Sequence, residues 1–503
     1  MPEKKKKPSE NKTFLIVGAG ASGLFAARAL EKTGIPRKNI ILLEKNSWIG
    51  GKCHTYNEPE DSALATEYGA ALIAHNYQIV LDAIAEKKLP IEKVLPTKLD
   101  SMDFMKKYLS KDRWGRVVFS AEVLKELIRF EKLLRQYEHA RDNCLPLPSG
   151  FELSFQEFAT RNGLARLNDI LRPVVTGFGY GAMQVCPAYA VFEYMGHTTI
   201  PAMQLLPSIL HQGPFYAIKG GFQRLMEAIA KDYEVLTEAD IQSIDRSNGV
   251  TVEFLHQNEV KQLKADYLIL ALSPLHWGKL GLSLTPTEEL AVKQVTYYHY
   301  PVAICKLKGY LAHQEFFEHG LQPEGFGDLA LITTRDGRVF PEDGRLCTAY
   351  INLPQEPTQP APVIPSVEKW QFELSKVNNV EKVEIIDTHT WEDYMSMVPW
   401  EVRCRLEKEQ FIHETGYANS IFSYEDVGCV ANYITKLIAN TFSPKPTKVY
   451  DNAVSTDLLR AYWLFKTPQH PPVHVVKKLM KKESSGENYL NEENKNDNRH
   501  TIN

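Results

Sequence analysis

Residues 14–54 read FLIVGAGASGLFAARALEKTGIPRKNIILLEKNSWIGGKCH, and this stretch decides the fold. The short apolar run Phe14–Val17 has the residue types of a strand and feeds straight into Gly18-x-Gly20-x-x-Gly23. A helix-period pattern follows at Leu24, Ala27 and Leu30, and a second apolar run, Ile40–Leu43, ends in Glu44. Strand, tight turn, helix and strand make a βαβ unit whose turn fits a dinucleotide. Gly18 allows the sharp turn, Gly20 lets the backbone approach a pyrophosphate, and Gly23 lets the helix pack close to the sheet. Ala21 and Ser22 open the helix, where free N–H groups at its positive end receive phosphate. Glu44 lies 21 residues past Gly23, where a carboxylate meets ribose hydroxyls, and Lys45 adjoins it.

Two further segments point to the larger of the common dinucleotides. Gly50-Gly51-Lys52, just past the ribose acid, suits a backbone passing close to a second part of the same ligand. Ala65-Thr66-Glu67-Tyr68-Gly69-Ala70-Ala71 is a stretch of small residues where a flat ring can lie against backbone. An NAD-only domain needs neither segment; FAD is long enough to need both.

Bulk properties bound the rest. At 503 residues the chain has room for about two to four domains. Its 44% hydrophobic and 24% charged residues are ordinary for a soluble globular protein. A net charge of −4 gives no global attraction to nucleic acid. The seven cysteines are scattered without C-x-x-C spacing, which argues for a reducing compartment and against a disulfide framework or a zinc site. No histidine spacing makes a convincing metal site. No run approaches the roughly 18 apolar residues of a membrane span. The start, MPEKKKKPSENK, lacks an apolar core and reads as a solvated leader rather than a secretory signal. The expected location is cytoplasmic. Contact with a membrane surface through the aromatic and basic stretch 460–482 is the alternative to a packed C-terminal helix.

The pattern along the chain predicts a helix over Ala121–Tyr137 within a largely helical stretch at 96–205. It predicts a helix over Gln223–Ala230 and strands over Glu234–Ile244, Val250–Leu255 and Ala265–Ser273, the last a buried parallel strand. VAICKL and RLCTAYINL read as strands, with a Pro-rich loop at Pro354–Pro365, and residues 416–442 read as a small-residue turn and a helix. The expected organisation is a discontinuous FAD-binding domain (12–95, 206–284 and 405–442), with a helical cap or substrate region at 96–205 and a substrate-binding domain at 285–404. A C-terminal extension (443–482) and a disordered polar tail (483–503) complete it. The fold class is α/β: a Rossmann-like FAD domain with an inserted α+β substrate domain and a helical cap.

At this point the chain resembles the flavin amine oxidase superfamily. The likeness rests on the GxGxxG, Glu44, Gly-Gly-Lys in place of Gly-Gly-Arg, Glu-x-Gly-Ala at 67–70, Lys-Gly-Gly at 219–221 and Ala-x-Ser-Pro at 271–274. Gly-Gly-Lys-Cys-His at 50–54, Phe178-Gly179-Tyr180-Gly181 and Pro187-Ala188-Tyr189-Ala190-Val191 with Tyr194 look more like the FAD-dependent polyenoic fatty acid isomerases. Trp391–Pro399 and Tyr417–Phe422 are similar to that group too. One departure is clear: the superfamily closes its site with Ala-Gly-Glu or Ala-Gly-Asp, whereas this chain has Ala418-Asn419-Ser420, which supplies no charge.

The resemblance implies non-covalent FAD held by the residues above together with Ile241, Ser273, Asn419 and Ser420. It implies a small, lipid-like substrate positioned by Phe178 and Tyr180, with Tyr194 and His197 lining its pocket. Cys404, upstream of the closing turn, is not expected to attach flavin. The implied reaction moves the double bonds of a polyunsaturated fatty acid into conjugation, by hydride transfer to flavin N5 and return to another carbon. Such a site needs an apolar channel, aromatic walls and a clamp for the carboxylate; Lys98, Lys106, Lys107 and Arg172 are candidates. Net oxidation of an amine or isoprenoid is the alternative reaction, and a scaffold without catalysis is the alternative class.

Overall fold

Phe14–Val17 forms a strand with all four side chains buried, and Ile40–Leu43 lies parallel to it with Phe14 opposite Ile40. Runs that apolar suit a sheet covered on both faces. Tyr267–Leu270 pairs with the other edge of Phe14–Val17, Glu234–Leu236 with Ile40–Leu43, and Thr415–Tyr417 with Tyr267–Leu270, all in parallel. The spatial order of this five-stranded sheet is therefore 234–236, 40–43, 14–17, 267–270, 415–417, built from stretches far apart in the chain. The computed structural model describes residues 11–61, 64–74, 76–94, 107–111, 117–196, 215–338, 341–354 and 362–443. Contacts divide the chain into Met1–Asn452 and Ala453–Asn503. From residue 444 on, the expected extension and tail lie outside the described residues, as does the stretch 460–482.

One face of the parallel sheet carries Phe14, Ile16 and Leu42 into a core shared with four helices: Ala21–Lys32, Gln78–Glu86, Gln223–Ala230 and the closing helix Val427–Phe442. The other face carries Leu15, Val17 and Leu43 against Val250, Val252 and Phe254 of an antiparallel three-stranded sheet, and against Trp277. Each fully buried side chain of this size contributes about 1.5–3 kcal/mol. Two glycines of the turn are required by contact. Gly18 has φ +103°, and a Cβ at Gly23 would lie 1.9 Å from the Gly18 carbonyl oxygen. The first helix therefore packs on the turn as closely as the sequence predicts.

The cap is helical. Ser120 caps Ala121–Asp142 by accepting from the Val123 N–H, and Val123, Leu127, Phe130, Leu134 and Tyr137 face inward at helical spacing. The helix runs five residues past the expected Tyr137, because Ala140 is still buried and Arg141 pairs with Glu193. Phe192, on Ala188–Tyr194, stacks on Phe130 with ring centres 4.2 Å apart.

A second five-stranded sheet holds Gln314–Phe316, Leu329–Thr333, Arg345–Ile351, Thr296–Lys308 and Lys382–Met397 in that order. Its last pair is long and antiparallel, with register shifts, and Met395 adopts φ +51° in the final stretch. Two expectations change, and one strand is new. Glu234–Ile244 is two strands in different sheets, broken where Glu238 takes φ +54°. Ala265–Ser273 contracts to Tyr267–Leu270. Lys382–Met397 is a 16-residue strand that alternating apolarity does not announce, since no residue of its first half is fully buried.

Candidate functional site

A cavity of about 1030 Å³ opens along the C-terminal edge of Phe14–Val17 and runs between the parallel sheet, the cap and the second sheet. That is at the top of the range for a single ligand pocket, about 300–1,000 Å³. The ends of parallel strands are where open α/β sheets bind ligands.

The dinucleotide end is assembled from glycine. Gly18, Gly20, Ala21 and Ser22 line it. Gly20 is the N-cap of the first helix, offers no side-chain cap, and the first turn holds no acid, so the helix N–H groups are free for an anion. Gly50 bridges to Gly20, the Gly50 N–H donates to the Ala19 carbonyl at 3.0 Å, and a Cβ on Gly51 would stand 3.1 Å from the Gly20 Cα. A Cβ on Gly69 would lie 2.1 Å from the Lys52 carbonyl oxygen. Glu44 and Lys45 reach the same end. The Glu44 carboxylate accepts from the Ala19 N–H (2.8 Å) and the Asn46 N–H (2.9 Å); burial nonetheless pushes it above the usual carboxylate range.

Of the other expected contact residues, Lys52, Gly69, Ala70, Ala71, Ile241, Ser273, Asn419 and Ser420 all line the cavity. Gly23 does not; its contact is with the turn itself. The Asn419 side chain is occupied locally, accepting from the Ile421 N–H and donating to the Leu272 carbonyl. Two buried polar atoms on the wall have no partner: Trp48 Nε1, a donor, and Glu425 Oε2, an acceptor. An uncapped helix end, a glycine cradle and orphaned polar atoms together fit a dinucleotide.

Lys52 anchors the middle of the cavity. Its ammonium lies 2.7 Å from Glu425 Oε1 and 3.1 Å from Asp393 Oδ1, and donates to the Asp393 carbonyl at 2.9 Å. Burial alone would lower the lysine, but the two carboxylates outweigh it and raise it. Burial would raise Asp393, but Lys52 and His276 hold it well below the usual carboxylate range. Next to Glu425, Asp426 caps the closing helix by accepting from the Cys429 N–H and takes the Tyr77 hydroxyl as a second donor. Burial still raises Asp426.

The far end is aromatic. Phe178, Tyr180 and Tyr194 line it as the sequence suggests, joined by Tyr300, Phe316, Tyr350 and Tyr394. The Tyr180 ring centre is 5.1 Å from Tyr194 and 5.7 Å from Tyr394; Tyr394 is 4.9 Å from Tyr300. Gly179 and Gly181, at φ +78° and +111°, let the backbone pass over the rings of Tyr300 and Tyr298, where a Cβ would clash. Burial raises the Tyr180, Tyr300 and Tyr394 phenols well above their ordinary value and pushes Tyr350 up to about 12, so this wall is uncharged at neutral pH. Behind it, Tyr424 takes φ +90°, a costly conformation for a bulky residue.

Some expectations do not fall on the cavity. His197, Lys98 and Lys106 lie outside the described residues. Lys107 and Arg172 pair with Asp169 and are absent from the wall, so neither serves as a clamp there. Cys404 is buried on Trp400–Glu409, also away from the cavity. Sequence reasoning missed Glu425, Asp426, Tyr77, Trp48, Asp393, Tyr394 and Arg335, whose guanidinium pairs with Glu67. The signal for the acids was present: Glu425 and Asp426 stand five and six residues after the uncharged Ser420.

The sequence profile of flavin containing amine oxidoreductases matches residues 21–305, more than half of the chain. The chain belongs to that family. A flavin is accordingly the cofactor the family implies. The family's curated relatives are distant. An FAD-dependent oxidoreductase of Monascus ruber (pigF) is 25% identical over 270 residues, 52% of this chain and 54% of that one. An L-amino-acid oxidase of Demansia vestigiata is 24% identical over 282 residues, 53% and 51% of the two chains. The chain spans about half the length of these relatives. Among solved structures, a CLA-producing fatty acid isomerase from P. acnes shares the fold with TM-score 0.65 and 20% identity, over 86% of this chain and 99% of that one. A putrescine oxidase follows at TM-score 0.58 and 15% identity, over 85% and 98%. The α/β amine oxidase-like fold is thereby shown. Among the described residues, no helix is long and apolar enough to cross a membrane, and no group of three His, Cys, Asp or Glu side chains is placed to hold a metal.

Proposed function

We propose that the chain binds FAD non-covalently and moves the double bonds of a polyunsaturated fatty acid into conjugation. The observation that carries this reading is the uncharged aromatic wall of Tyr180, Tyr300, Tyr350, Tyr394 and Phe178. An unbranched apolar chain gains by lying against such a surface. Two half-buried cations of the cavity wall, Lys52 and Arg335, are each paired with protein carboxylates. Bound flavin supplies the hydride acceptor and donor. The protein's part is to hold the substrate's weak C–H bonds in place, exclude water and keep the walls neutral. The fold shared with the P. acnes isomerase along nearly that protein's whole length supports the same reading.

Net oxidation of an amine or isoprenoid is the second reading, favoured by the amino-acid oxidase relatives. Product analysis in air separates the two. With linoleic acid or a longer polyunsaturated acid, isomerisation yields conjugated diene of unchanged mass with no oxygen uptake. Oxygen uptake in step with product formation, or turnover of amines and none of fatty acids, would overturn it.

A further inference from the structure

The helical cap meets helix Trp400–Glu409 along a seam away from the cavity. Trp400 anchors it: the indole N–H donates to the Leu145 carbonyl at 2.8 Å, across 255 residues of chain. The same ring lies 5.9 Å from Tyr137 and 5.7 Å from Tyr189, both on cap helices. Cys144 immediately precedes Leu145, and Cys404 follows Trp400 by one helical turn, on the same face. Both are free thiols, and they meet and interact at this seam. Cys144 is held in place by the turn that ends Ala121–Asp142, where its N–H donates to the Arg141 carbonyl at 3.2 Å and the Leu145 N–H to the Ala140 carbonyl at 2.9 Å.

The surroundings suit oxidation of the pair. Cys144 is half-buried, within reach of a small oxidant, and Cys404 is buried behind it. Burial raises both thiols, so they stay protonated and reduced until an oxidant is present. The Arg403 charge opposes that rise at both sulfurs, and its buried Nη1 has no hydrogen-bond partner. A cation beside a thiol favours the thiolate, the form that reacts.

We infer that Cys144 and Cys404 are a redox modification site, at which hydrogen peroxide converts the two thiols to a disulfide tying the cap to helix Trp400–Glu409. The Cys144 thiolate attacks peroxide, the O–O bond breaks, and one water leaves as Cys144 becomes a sulfenic acid. Cys404 sulfur then attacks the Cys144 sulfur; the S–S bond forms, the S–O bond breaks, and the second water leaves. Two thiols are oxidised and one peroxide is reduced to two waters. The site is independent of which reaction the cavity performs. It bears on the cavity through the cap: Arg141, near the end of the Cys144 helix, pairs with Glu193, whose neighbour Tyr194 lines the aromatic wall.

The test uses the full chain as purified, treated with hydrogen peroxide, alkylated and mapped by peptide mass spectrometry. The expected result is the loss of two of the seven free thiols, one cross-linked peptide pair joining Cys144 to Cys404, and full reversal by dithiothreitol. The oxidised chain should also unfold at a higher urea concentration, because the bond closes a long loop. Cys144→Ser should show neither the cross-link nor the shift, and Cys404→Ala serves as the second variant. Over-oxidation of Cys144 to sulfinic acid with Cys404 still alkylatable would overturn the inference. So would a cross-link between two chains, peroxide-treated protein with both thiols intact, or a cross-linked chain whose urea midpoint is unmoved.

Discussion

Replacing Lys52 with Met keeps most of the side chain's length and deletes its charge, leaving Asp393 and Glu425 facing each other without a cation. At an effective dielectric of about 20, ion contacts of 2.7 and 3.1 Å are each worth roughly 5–6 kcal/mol before desolvation is counted. Removing one partner from a buried ion pair costs about 3–5 kcal/mol net. Lys52 and Asp393 keep 25% and 23% of their side chains accessible, which places this site at the lower end, about 3 kcal/mol. Urea unfolding, followed by circular dichroism, should show a lower midpoint with unchanged slope for Lys52→Met. Adding Asp393→Asn and Glu425→Gln removes the stranded charges and should recover most of the loss. A Lys52→Met protein as stable as wild type, or a triple variant no better than the single one, would refute the reasoning.

Gly23→Ala would place a Cβ 1.9 Å from the Gly18 carbonyl and 3.2 Å from Ile16, so the turn must open. The expected cost is at least the ~1–3 kcal/mol of an overpacked core, with bound flavin per protein falling, read from the visible spectrum. Asp393 sits below its ordinary range in the fold, so its contribution is complete above the unfolded value of about 3.9 and disappears as pH falls toward the folded one. Asp393→Asn should therefore flatten the acid limb of a stability–pH profile. Asp426, raised in the fold, acts oppositely: its contribution is present at acid pH and lost as pH rises. Acid precipitation of the holoprotein should release all flavin to the supernatant, since Cys404 is away from the cavity wall; flavin retained in the pellet would contradict non-covalent binding.

The dinucleotide half of the cavity was legible because its requirements are local. Gly18 needs a positive φ, Gly20 and Gly51 need to touch, and Glu44 ends a strand; a short stretch of sequence contains all of this. Phe178 and Tyr180 were legible for a similar reason, since Gly179 and Gly181 announce a close approach. The other wall was not. Asp393 and Tyr394 come from a strand whose first half has no fully buried residue and whose register shifts against its partner, so no regular alternation marks them. Lys52 meets Glu425 across 373 residues of chain, and Arg335 meets Glu67 across 268. Pairs of that kind are set by how the two sheets come together, which periodicity does not encode. Asn419 and Ser420 line the cavity without charge, and the carboxylates Glu425 and Asp426 line it a few residues beyond that turn, where no local pattern marks them.

The most direct test of redox-neutral catalysis is anaerobic. The purified, flavin-loaded chain is mixed with linoleic or a longer polyunsaturated acid in the absence of oxygen, while the visible flavin band and the ultraviolet absorbance of conjugated diene are followed together. Diene should accumulate over many turnovers with the flavin oxidised at the end. Lasting bleaching of the flavin with no diene would contradict isomerisation and point to an oxidase that awaits an acceptor.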